Sequence, residues 1–128
     1  MIDIIPSVEH KKAIDMIKDS DVLLLIHPTN GRKGVFTGKL FEYLGVLKPI
    51  IALVDENDVA SKLIQKCNAG YISDNSNIEK IENNIILAYR EWENNIIREF
   101  NLEEIKKHHR LNQAKRLEKL IEDLLNER

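Results

Sequence analysis

Two unbroken apolar runs divide the chain, Val22 to Ile26 (VLLLI) and Ile50 to Val54 (IIALV). Neither alternates with polar residues, as expected of strands in a parallel sheet covered on both faces. Between them the period changes. Leu40, Phe41, Leu44 and Leu47 recur at helical spacing, so residues 37–47 read as one short helix. Thr37 stands at its N-cap, where a hydroxyl can accept a first-turn N–H. The loop before it, His27 to Phe36 (HPTNGRKGVF), leaves the carboxyl end of a strand. Ligands of open α/β sheets bind at that end.

The same logic extends in both directions. Ile2 to Ile5, stopped by Pro6, reads as a short strand. Ser7 caps a helix with Ala13, Ile14 and Ile17 on one face, and Ser20-Asp21 ends it. After the second long run, residues 55–58 (DEND) cap a helix carrying Ala60, Leu63, Ile64 and Cys67. Asn68-Ala69-Gly70 is its C-cap, and Tyr71-Ile72 is a further strand. A long helix with Ile81, Ile85, Ala88, Tyr89 and Trp92 follows, extending to about Phe100. Asn101 and Glu104 form a capping box for a C-terminal helix over 101–128, striped by Leu117, Leu120, Ile121, Leu124 and Leu125. The expectation is one domain over 1–128: α/β, Rossmann-like, a mostly parallel sheet of about four strands with flanking helices and a long C-terminal helical segment.

Composition narrows the function classes. The net charge of −2 gives no bulk attraction to nucleic acid or anionic membrane. One cysteine, Cys67, excludes an internal disulfide, and no His, Cys or carboxylate spacing suggests a metal site. A cytoplasmic protein is expected, at most peripheral to a membrane. No apolar run approaches the ~20 residues of a span.

The candidate chemistry sits at the entrance to the 37–47 helix. Thr37, Gly38 and Lys39 combine free N–H groups, the positive end of a helix dipole, room for close approach and a cation. That combination suits an anion such as phosphate. Glu42, three positions after Lys39, can accept hydrogen bonds from sugar hydroxyls. Arg32, Lys33 and Gly34 offer further loop contacts. His27 reads as a strand-end residue bonded to backbone rather than a catalytic base, His108-His109 as a solvated pair, and Cys67 as core. Residues 34–40 (GVFTGKL) lack the spacing and the Ser or Thr of a phosphate-binding P-loop. A phosphorylated receiver domain needs an Asp after its central strand, and His27-Pro28 stands there.

The segment from Asp21 to Gly70 resembles a known family. Gly38-Lys39-Leu40-Phe41-Glu42-Tyr43-Leu44, then Lys48-Pro49 opening the next strand, then Ala69-Gly70, is similar to the second half of the C-terminal, donor-binding domain of GT-B glycosyltransferases. The nearest branch builds bacterial cell-surface polysaccharides. The resemblance covers residues 20–75. It implies that Glu42 holds the ribose hydroxyls of a nucleotide sugar, and that Thr37, Gly38 and Lys39 hold its diphosphate. It implies sugar transfer with retention and no obligatory metal or other cofactor, with no catalytic residue assigned. It also implies an incomplete GT-B domain needing a missing N-terminal domain or partner chain. Where many retaining members carry a second Glu, this chain has Gly34. The alternative is a non-catalytic interaction module, docking on a separate partner or forming a homodimer through an exposed sheet edge.

Overall fold

The computed structural model describes residues 2–27 and 33–126. Its elements follow in the order α1 (His10–Asp19), β1 (Leu23–Ile26), α2 (Gly38–Val46), β2 (Ile50–Leu53), α3 (Val59–Lys66), β3 (Gly70–Ser73), α4 (Ile78–Glu93), α5 (Leu102–Lys107) and α6 (Arg110–Asn126). The fold is α/β, with a parallel sheet in the order β1-β2-β3. This arrangement is compatible with a Rossmann-like fold. No helix among the described residues is long and apolar enough to cross a membrane.

The three strands pair in register, Leu23 with Ile50 and Ile50 with Gly70. Leu25, Ile50, Ala52 and Ile72 point to one face, where Leu40 and Leu44 of α2, Ala60, Leu63 and Ile64 of α3, and Ile105 of α5 complete the core. Cys67 belongs to this core, and burial pushes its thiol up to about 11, so it stays protonated. On the other face α4 packs on β2 and β3. Asn84 anchors it there by donating to the Ile72 carbonyl at 3.1 Å.

Strand β1 is an edge, and nothing among the described residues covers its α4-side face. Leu24 and Ile26 are 54% and 61% exposed. The Leu23 and His27 N–H groups donate to Pro49 and Leu53 carbonyls, so by alternation the backbone groups of Leu24 and Ile26 point away from β2. The Tyr43 hydroxyl meets one of them, the Leu24 carbonyl, at 3.4 Å.

Four expectations are corrected. Ile2 to Ile5 form no strand, and Ile2 and Ile4 are 91% and 94% exposed. A strand needs a ladder, and these residues lie against none. The sheet therefore has three strands among the described residues, not four. Ser7 caps no helix, since α1 begins at His10 with Glu9 at its N-cap. The long helix ends at Glu93 rather than near Phe100. Asn95 takes φ 52°, and the Asn95 and Ile96 N–H groups fold back to Trp92 and Glu91 carbonyls, a Schellman ending. The C-terminal segment is two helices, broken at His108-His109.

Gly70 acts for a reason other than capping. Asn68 takes the left-handed position, φ 48°, at the end of α3. A Cβ on Gly70 would lie 1.9 Å from the Ile50 carbonyl oxygen. Only a residue without a side chain lets β3 approach β2 there. Gly70→Ala should lower stability by about 3 kcal/mol or more in chemical denaturation, the range of severe backbone clashes. A loss under about 1 kcal/mol would show that the two strands separate freely at this point.

Candidate functional site

Leu40 and Leu44 set the rotation of α2. Both are buried, so the stripe on another side of the helix, Gly38, Glu42 and Gly45, faces outward, with the half-buried Phe41 between it and the core. It forms one wall of a cleft of about 360 Å³. The opposite wall is Ile105, His108, His109, Arg110 and Gln113, from the junction of α5 and α6.

Asn101 holds that second wall in place. Its side chain accepts the Glu104 N–H at 3.1 Å and donates to the Lys66 carbonyl at 3.0 Å, while its own N–H donates to Cys67. The helix is thus tied to the end of α3, and Ile105 plugs into the core. The capping box is half made. Glu104 turns instead to Lys107 at 2.7 Å, which holds its carboxyl below the usual range. Its other oxygen lies 3.6 Å from His108 Nε2.

The predicted residues divide between this cleft and its surroundings. Gly38 and Glu42 line it together. Among the described residues, neither the Gly38 nor the Lys39 N–H has a protein acceptor. Lys39 is exposed but does not line the cleft, and has no ion pair among the described residues. The reason is angular: residue 39 lies about 100° around the helix from residue 38. Glu42 pairs with neither Lys39 nor Lys48, and its carboxylate lies 3.8 Å from His10 Nε2 on α1.

Thr37 occupies the N-cap position with extended backbone, but its hydroxyl makes no capping bond. Its Oγ1 is buried without a partner among the described residues. The first turn is closed by the Leu40 N–H donating to the Thr37 carbonyl at 3.1 Å.

The loop contacts fare differently. Arg32 lies outside the described residues. Lys33 pairs with Asp55 at 3.2 Å. Gly34 takes φ 80°, and its N–H donates to Asp58 Oδ1 at 2.8 Å, so that amide is already committed. Asp58 also accepts the Val59 N–H at 2.7 Å. One buried carboxylate therefore starts α3 and holds the loop ahead of α2. The Gly34 bond, then the Val59 bond, lower its pKa.

His27 is buried, and its main-chain N–H donates to the Leu53 carbonyl. His108 is a correction. It is three-quarters buried and stacks on Phe41, ring centroids 5.9 Å apart, and Phe36 meets the other ring at 5.5 Å. The sequence reading missed His109, Arg110 and Gln113 as cleft residues. Their signal was the Asn101 cap, which swings the C-terminal segment back over α2.

This arrangement offers a carboxylate, unbonded N–H groups, an aromatic ring and a guanidinium around one opening. No group of His, Cys, Asp and Glu among the described residues is placed to hold a metal ion. No protein-family model, curated protein or solved structure matches the chain. The class that fold and site define is an α/β protein with an open cleft beside the helix that follows its first strand.

The Asp58 carboxylate gives a pH test. Its folded pKa is lowered, so its contribution to stability is present above the ordinary carboxylate value, about 4, and is lost as pH falls through the folded value. Asp58→Asn should be less stable than wild type at neutral pH, with the gap closing as pH falls below about 4. A gap that stays constant in urea titrations across that window would contradict the assignment.

Proposed function

We infer that this chain is the donor-binding part of a retaining glycosyltransferase of the GT-B class, acting in cell-surface polysaccharide synthesis on a nucleotide sugar. The observation that carries this reading is that Gly38 and Glu42 share one cleft wall while the Gly38 and Lys39 N–H groups have no protein acceptor among the described residues. A diphosphate at the start of α2 would meet those N–H groups, the helix dipole and the Lys39 ammonium. One turn later, Glu42 would accept from the ribose hydroxyls. In sugar transfer the leaving diphosphate gains negative charge as the glycosidic bond breaks, and fixed donors stabilise it without reorganising. The resemblance over residues 20–75 supports the same assignment. Transfer itself would need an acceptor-binding domain, in the same protein or on a partner chain.

A second reading, an interaction module, is favoured by the open edge of β1 with Leu24 and Ile26 exposed. That edge is also where a completing domain would dock, so the two readings share it.

Calorimetry with UDP, GDP and ADP sugars should show binding of one of them. Glu42→Ala and Lys39→Ala should each weaken it about tenfold, the loss of roughly one charge-assisted hydrogen bond. Unchanged binding in both variants would remove the site assignment. Expression with a domain that restores transfer would separate an incomplete enzyme from an interaction module.

A further inference from the structure

A cation stands in the cleft opposite α2 with nothing of its own to neutralise. Arg110 belongs to the wall at the α5–α6 junction, and it has no ion pair among the described residues. Glu42 is the one acid in the described lining, and it lies instead near His10 on α1, at 3.8 Å. A guanidinium stays charged at any ordinary pH and can only donate hydrogen bonds. Arg110 is also unfavourable to its own helix. It is the first residue of α6, where the helix dipole disfavours a cation, and no acid in the first turn offsets it. Helix stability therefore gives no reason for the charge.

The path of the chain brings Arg110 toward the start of α2. The ends of α2 and α3 lie at one level, because the strands that follow them pair in parallel, Ile50 beside Gly70. Asn101 ties the start of α5 to Lys66 and Cys67 at that level. By His108 the chain has reached Phe41, whose ring it stacks on. Phe41 lies about 7.5 Å before the last residue of α2, at 1.5 Å per residue. Arg110 follows two residues later and lines the same cleft as Gly38, whereas Lys39 lies outside that lining.

We propose that Arg110 is the diphosphate clamp on the far wall of the cleft, binding phosphate oxygens across from the Gly38 N–H. The proposal rests on the donor-binding reading and supplies the cation that this reading lacks on the cleft side of α2. A planar guanidinium can meet two phosphate oxygens at once, which a lysine cannot. The ligand is then held from both walls: backbone N–H groups from α2 and a side-chain cation from α6.

Calorimetry with UDP, GDP and ADP, each against its own monophosphate, tests the assignment. Arg110→Gln should weaken the diphosphate that binds by at least about tenfold, and its monophosphate by less. Arg110→Lys should restore part of the loss, because it returns the charge without the planar fork. The gap between wild type and Arg110→Gln should narrow as salt is raised. Arg110 is exposed and outside the core, so the thermal transition should stay in place in both variants. Diphosphate binding that falls in Lys39→Ala and Glu42→Ala but not in Arg110→Gln would overturn this inference and leave the donor-binding reading standing. Equal losses for mono- and diphosphate, or no recovery in Arg110→Lys, would also overturn it. Failure of all three diphosphates to bind the wild type would overturn both.

Discussion

The burial of Leu40 and Leu44 against the sheet is the contact on which the site depends. Each leucine lies under β1 and β2 with almost no surface left to water. Burying a side chain of that size contributes about 2 kcal/mol, which far exceeds any preference of the outward residues. The core thus decides how α2 is rotated, and the outward stripe of Gly38, Glu42 and Gly45 follows from helical period alone. Function in this reading is a by-product of packing: the Gly38–Glu42 stripe faces a cleft because the Leu40–Leu44 stripe cannot.

The second wall depends on a chain of smaller bonds. Asn101 ties α5 to the end of α3, Ile105 enters the core, and the turn at His108-His109 redirects the chain. The stacked Phe41 and His108 rings join the two walls. The entrance loop is fastened from below, by Asp58 through Gly34. These polar contacts lie around the apolar core, and each satisfies backbone groups that helix ends or loops leave open.

Much of this was legible in the residues. Runs of consecutive apolar residues marked β1 and β2 because buried parallel strands need no alternation. The 3.6-residue period marked α2 and α3, and Asn101 announced α5. What failed did so where local pattern is silent about partners. Ile2 to Ile5 has strand composition, yet strand formation is decided by a neighbour that sequence does not show. The end of α4 turned on Asn95 accepting a left-handed backbone, a role Asn shares with Gly and that apolar period cannot reveal. Gly70 looked like a cap and proved to be a close approach between strands. Thr37 looked like a capping hydroxyl and has its oxygen enclosed instead. Of the cleft's lining, Gly38 and Glu42 were legible as candidates from the start of α2. The far wall was missed because it comes from residues far along the chain.

The central claim is that the first turn of α2 receives a diphosphate while Glu42 receives the attached ribose. Backbone amide shifts during titration with nucleoside diphosphates test it most directly, since they report position as well as binding. The account predicts that the largest changes fall on Gly38 and Lys39, with smaller ones at Glu42 and on the His108 to Arg110 wall. Saturable shifts centred elsewhere, leaving Gly38 and Lys39 unmoved, would contradict it.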